Sequence, residues 1–128
     1  MLKNKNILIA EDEKMLSKAL TIKLNAEGYG VTVAEDGKVA LETVEKRSFD
    51  LILLDIIMPR MDGFTFLEFL RSAGTTFSLI PVLVLSNLGQ PEEKERAMTL
   101  GATEYLVKAN APFPKILETI QLILNRRN

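Results

Sequence analysis

The chain has 128 residues, 47% of them apolar and 26% charged, which suffices for one domain with its own core and excludes a disordered tail. Sixteen Lys+Arg against 17 Asp+Glu leave a net charge of -1, so the chain as a whole carries no electrostatic footprint for nucleic acid or an anionic membrane. With no Cys and no His, disulfide frameworks, thiolate or imidazole metal sites, and Ser-His-Asp, Cys-His and zinc hydrolase chemistry are all excluded. Apolar runs fall far short of the ~20 residues of a membrane span, and the start at Met1-Leu-Lys-Asn-Lys-Asn lacks the apolar core of a signal peptide. The expectation is a soluble, cytoplasmic protein, one domain over residues 1–128, whose chemistry rests on carboxylates, hydroxyls and lysines.

In chain order, residues 7–10 (Ile-Leu-Ile-Ala) predict a first strand. Met15, Leu16, Ala19, Leu20 and Leu24 then recur at helical spacing, predicting a helix with that face inward and Gly28 as its stop. Residues 31–34 read as a second strand, followed by Asp36 as the N-cap of a helix with Ala40, Leu41 and Val44 inward. Residues 51–54 form a third strand, and Asp62 caps a third helix with Phe66, Leu67 and Leu70 inward. After a fourth strand at 81–85, Pro91 opens a short helix that Glu92 and Glu93 favour at its positive end and Gly101 closes. Residues 105–107 give the fifth strand. A last helix starts at about Pro112 or Pro114 and turns Ile116, Leu117, Ile120, Ile123 and Leu124 inward.

Three of these strands are apolar without alternation, which implies burial on both faces and therefore a parallel sheet between helices. Five strand-helix pairs with right-handed crossovers predict an α/β doubly wound sheet of the flavodoxin-like order 2-1-3-4-5 with five helices. That order opens a crevice at the C-terminal ends of strands 1 and 3, where ligands bind in such folds. The residues that follow the strands converge there: Glu11-Asp12-Glu13, Asp55, Ser86-Asn87 and Lys108. Acids crowded into one crevice repel each other and need a cation, and a hard oxygen-liganded ion, Mg²⁺ above all, suits carboxylates, water and phosphate oxygens. Taken singly, Glu11 to Glu13 read equally well as solvated loop acids, Ser86 as a turn residue and Lys108 as a surface charge; their joint placement favours a site.

The stretches Ile7-Leu-Ile-Ala-Glu-Asp-Glu13, Leu51-Ile-Leu-Leu-Asp-Ile-Ile-Met-Pro-Arg-Met-Asp-Gly63, Pro81-Val-Leu-Val-Leu-Ser86 and Gly101-Ala-Thr-Glu-Tyr-Leu-Val-Lys108 carry a resemblance over the whole chain. The sequence resembles the receiver domain of bacterial two-component response regulators, close to the single-domain chemotaxis type. The resemblance implies a phosphorelay: a sensor histidine kinase or phosphotransfer protein donates a phosphoryl group to Asp55. It implies Glu11, Asp12, Asp55 and the main-chain carbonyl of Ile57 as Mg²⁺ ligands, Ser86 as the hydroxyl that contacts the phosphoryl group, Lys108 as its ion pair and Tyr105 as the aromatic switch. Output would pass through the face of the fourth helix, fifth strand and fifth helix to a downstream protein or a second copy, without direct nucleic-acid or membrane binding. Catalysis would be confined to transfer to, and hydrolysis from, the chain's own Asp55. Ile57 and Leu88 occupy the positions that in receivers flank the attacking water, and being apolar they imply slow hydrolysis.

Two positions depart from the family pattern: Asn87 stands where a small residue usually follows the hydroxyl, and Ala109-Asn110-Ala111 precede Pro112-Phe113 where Pro and Phe usually follow the Lys at once. A cis bond to Ala costs about 2.5–4 kcal/mol, so a trans Lys108–Ala109 bond is expected, with Asn110 placed to cap the last helix. Pro59 and Gly63 serve loop geometry, and Met58, Met61, Phe64, Phe66 and Phe69 serve packing or a partner surface. The alternative reading is a receiver-like binding module that is not phosphorylated. An aspartyl phosphatase would need a second Asp where Ile57 stands, and a flavodoxin would need a Thr/Ser/Gly-rich phosphate loop after the first strand.

Overall fold

The computed structural model describes residues 4–74 and 76–126. In chain order its elements are β1 (Asn6–Ala10), α1 (Lys14–Ala26), β2 (Gly30–Ala34), α2 (Gly37–Lys46), β3 (Leu51–Leu54), α3 (Gly63–Ser72), β4 (Val82–Ser86), α4 (Pro91–Thr99), β5 (Glu104–Val107) and α5 (Phe113–Arg126). Short 3₁₀ turns lie at Thr76–Leu79 and Lys108–Asn110. The strands form one sheet, β2-β1-β3-β4-β5, and every pairing is parallel, as expected.

Successive strand residues face opposite sides of the sheet, and this alternation divides the core in two. Leu8, Ile52, Leu54, Val82 and Val84 pack with Val44 of α2, Phe66, Leu67 and Leu70 of α3, and Ala97 of α4. Ile7, Ile9, Leu51, Leu53 and Leu83 pack on the other side with Leu20 and Leu24 of α1 and Ile116, Ile120 and Ile123 of α5. β1, β3 and β4 are therefore buried on both faces, which accounts for their unbroken apolar runs.

The expected inward face of α1 is partly corrected. Leu20 and Leu24 are buried, but Met15 is 86% exposed and Ala19 also faces solvent, in a row with exposed Ile22. Two rows three to four residues apart satisfy the same helical period, and only contact with the sheet decides which of them is inward. The end of the helix is as expected: Gly28, at φ 96°, occupies the left-handed conformation that closes α1. β4 sits one residue later than expected, beginning at Val82.

Both expected Asp caps are formed. Asp62 accepts from the Thr65 amide at 2.8 Å. Asp36 accepts from the Val39 amide at 2.9 Å and from Arg60, whose Nη2 lies 2.8 Å from Oδ2. The fixed position of α2 thus helps hold the 56–62 loop, which leaves the end of β3. Met58, Phe64 and Phe66 are buried, whereas Phe69 is half exposed. Gly63 serves close approach, because a Cβ there would lie 2.5 Å from the Asp55 carbonyl oxygen.

Burial alone would raise the Asp36 carboxyl, but the Val39 amide and the Arg60 guanidinium outweigh it and hold its pKa below the ordinary 3.8. Its stabilisation is accordingly present above that value and lost as acid protonates the folded state. Asp36→Ala is expected to lower unfolding stability by about 1–2 kcal/mol at neutral pH in urea titrations with unchanged m. Asp36→Asn, which keeps a capping oxygen, should lose less, and its deficit relative to wild type should begin to shrink as the pH falls below about 4 and close only once the folded-state carboxyl is protonated at lower pH.

Candidate functional site

The parallel order sets the C-terminal ends of β1 and β3 side by side, with Ala10 opposite Leu54. The chain leaves both strands at once: the Glu11 amide donates to the Ala34 carbonyl and the Asp55 amide to the Ala10 carbonyl, each at 3.0 Å. These bonds aim Glu11 and Asp55 into one depression at the edge of the sheet. Asp12 follows from the solvent side, and ligand oxygens of the three carboxylates lie within 4.8 Å of one another. Asp55 is 7% exposed and Glu11 4% exposed, so repulsion between them acts where water screens little.

Lys108, the residue after β5, supplies the compensating charge. Its Nζ lies 2.8 Å from Glu11 Oε1 and 3.4 Å from Asp55 Oδ2, and its side chain is 13% exposed. The nearer partner is Glu11, not Asp55. Burial pushes the Glu11 carboxyl up to about 7, with the charge of Asp55 adding to the effect and Lys108 and the Glu13 amide opposing it. For Lys108, burial works against the charged form, but the hydrogen bond to Glu11 and the charges of Asp55 and Glu11 outweigh it and hold the ammonium above its ordinary range. One cation among three carboxylates leaves the site negative.

The donor set fits a hard divalent ion. Mg²⁺ would take one or more of these carboxylate oxygens, which lie within 4.8 Å of one another, with water in its remaining positions. Glu11, Asp12 and Asp55 offer carboxylate oxygens, and Ile57 lies on the same rim with its side chain 60% exposed. The Ile57 amide reaches back toward Asp55 Oδ1 at 3.4 Å.

Ser86 closes β4 and is fully buried; its Oγ accepts from the Leu88 amide at 3.2 Å. Tyr105, on β5, is buried too, and its hydroxyl donates to the Leu88 carbonyl. Burial raises the phenol, the Ser86 hydroxyl beside it acting in the opposite direction. The ring lies inward, packed with the core residues on that side of the sheet. The partly buried Leu88 side chain packs against the core, and Asn87 stands with Ile57 on the rim of the depression, which measures about 350 Å³. Sequence spacing marked Asn87 only as a departure; that it faces the site follows from the bend after β4. Lys108–Asn110 form a 3₁₀ turn with a trans Lys108–Ala109 bond. Asn110 stays in that turn, and the Pro112 carbonyl receives the Lys115 and Ile116 amides at the start of α5.

The family model described as the response regulator receiver domain matches residues 7–121. Transcriptional regulatory protein CusR of Escherichia coli K12 is 36% identical over 120 residues, covering 94% of this chain and 51% of CusR. The chain spans about half the length of CusR and of the transcriptional regulators ycf27 of Guillardia theta and Galdieria sulphuraria, which it also matches. Among solved structures, the receiver domain of Francisella response regulator 1452 aligns with TM-score 0.90 and 30% identity, covering 98% of this chain and all of that one. Chemotaxis protein CheY4 of Vibrio cholerae aligns with TM-score 0.86 and 32% identity, covering 94% and 98%. Among the described residues no helix is long and apolar enough to cross a membrane.

Removing the phenol hydroxyl leaves the Leu88 carbonyl without its bond from Tyr105. Tyr105→Phe is expected to cost about 1 kcal/mol of stability and to speed amide hydrogen exchange selectively between Leu88 and Pro91.

Proposed function

Because the chain belongs to the response regulator receiver domain family, we propose that Asp55 takes a phosphoryl group from a sensor histidine kinase or phosphotransfer protein, with residues 1–128 acting as one domain of a cytoplasmic phosphorelay. The observation that carries this reading is a carboxylate at the end of a buried strand, 3.4 Å from an ammonium and beside two further acids. A carboxylate oxygen of Asp55 attacks phosphorus, the bond to the donor's imidazole nitrogen breaks, and the nitrogen keeps the electron pair. Such transfer is loose, so positioning and charge neutralisation supply most of the catalysis. Lys108, now nearer Glu11, turns toward the phosphoryl oxygens as charge builds there. Mg²⁺ held by Glu11, Asp12, Asp55 and the Ile57 carbonyl supplies, when bound, the remaining neutralisation.

The chain acts on itself alone and turns over no external substrate beyond its phosphodonor. Ile57 offers no hydrogen bond to an attacking water, which favours a long-lived phosphoryl state. Ser86 contacts the phosphoryl group by rotating its Oγ away from the Leu88 amide, and the loop that Tyr105 holds through Leu88 then repacks. That change reaches the face of α4, β5 and α5, which engages a downstream protein or a second copy. A module that works without phosphorylation has no use for the buried Lys108–Asp55 pair, and the phosphoacceptor reading is preferred for that reason.

Incubation with acetyl phosphate and Mg²⁺, followed by intact-mass measurement, should add one phosphoryl group to the wild-type chain and none to Asp55→Asn. Undiminished labelling of the variant would overturn the assignment. Asp12→Asn should raise the Mg²⁺ concentration needed for half-maximal labelling, and Ile57→Asn should shorten the life of the label. Amide exchange over residues 90–113 should change when beryllofluoride, a phosphoryl mimic, is added; an unchanged pattern would rule out the output face.

A further inference from the structure

Of the charged groups that line the depression above Asp55, Lys108 and Glu11 are already engaged, while Asp12 and Glu13 are exposed acids. Lys108 is bonded to Glu11 and Asp55, and Glu11 also accepts from the Glu13 amide. Between the charged groups stand two exposed neutral side chains, Ile57 and Asn87. Ile57 has no hydrogen-bonding group in its side chain. The Asn87 carboxamide has two N–H donors and an acceptor oxygen, and it makes no hydrogen bond with another described residue. Its position is nevertheless fixed, because the residues on either side of it are pinned. Ser86 is buried at the end of β4, and Leu88 is held by its amide on Ser86 Oγ and its carbonyl on the Tyr105 hydroxyl. The bend between them sets Asn87 on the rim, away from the core that takes Leu88.

We propose that Asn87 is a positioning residue that orients the water hydrolysing the acyl phosphate at Asp55; this deepens the phosphoacceptor reading and rests on it. In the hydrolysis a water oxygen bonds to phosphorus opposite the Asp55 oxygen. The P–O bond to Asp55 breaks with its electron pair returning to the carboxylate, and both water protons leave with the released phosphate. An in-line approach to a phosphoryl group on a buried carboxylate comes from the open side of the depression, past the rim. There the Asn87 oxygen accepts from the water while its N–H donates to a phosphoryl oxygen, so that a lone pair of the water faces phosphorus. A neutral amide takes up no proton, so Asn87 contributes geometry and no general-base step. With Ile57 opposite, it is the neutral group on the rim able to hold that water.

The test follows loss of the phosphoryl group from the full chain, labelled with acetyl phosphate and Mg²⁺ and then freed of donor, by intact mass over time. Two variants separate hydrogen bonding from simple occlusion: Asn87→Ala empties the rim position, and Asn87→Leu fills it with an apolar side chain of similar size. Both should lengthen the half-life about three- to tenfold, the range one hydrogen bond accounts for, with unchanged thermal unfolding midpoints. A half-life unchanged in both variants would overturn the proposal. So would a shorter half-life in Asn87→Ala with a wild-type value in Asn87→Leu, which marks Asn87 as a steric gate. If the wild-type chain takes up no label under conditions that label another receiver, the phosphoacceptor reading fails and this one with it.

Discussion

The Lys108 ammonium, set between Glu11 and Asp55, is the contact on which the arrangement of this site depends. Two carboxylates buried at adjacent strand ends are unfavourable without a counter-charge, because desolvation removes the water that would screen them. A parallel sheet brings them together unavoidably, since it collects the C-terminal ends of all its strands on one edge. The same geometry supplies the remedy, for β5 ends on that edge as well and delivers Lys108 across β4. Compensation is incomplete, and the residual negative charge makes the site receptive to a divalent cation.

The site is coupled to the rest of the molecule through short contacts of known chemistry. Ser86 and Tyr105 grip Leu88 from two sides, so that the loop into α4 answers both to the depression and to β5. α4 is also tied to α3, where the Arg96 guanidinium lies 4.1 Å from the centre of the Phe64 ring. Below it, Arg71 of α3 donates to the carbonyls of Ser78, Ile80 and Gly101, joining α3 to both connections that flank β4. α4 itself buries only Ala97 and is mostly charged or polar, which leaves it the helix least committed to the core. A loop held by two hydrogen bonds under a weakly buried helix has the features of a region that opens at low cost.

Much of this was legible in residue order. The apolar runs at β1, β3 and β4, the capping acids Asp36 and Asp62 and the stops at Gly28 and Gly101 each act through chain neighbours, so their signals survive without coordinates. Failures arose where two local solutions were equally good. Met15 and Ala19 fit the period of α1 as well as Leu20 and Leu24 do. The 3₁₀ turn at Thr76–Leu79 had no signal strong enough to announce it, being a product of the Arg71 bonds to Ser78 and Ile80 and of packing around Phe77.

The sequence by itself determined the fold class and the strand order and pointed to Glu11, Asp12, Asp55 and Lys108 as residues that meet, because burial on both faces permits few topologies and a parallel sheet gathers its strand ends on one edge. Tertiary structure alone decided how those residues share their charges. Lys108 lies closer to Glu11 than to Asp55, a difference of 2.8 against 3.4 Å that depends on the path of the chain after β5. It also decided that Tyr105 lies inward and that Asn87 stands beside Ile57 on the rim. The physical reason is range: helix period, capping and strand burial act over a few residues, whereas ion pairing and the choice between core and rim depend on groups brought together from distant parts of the chain.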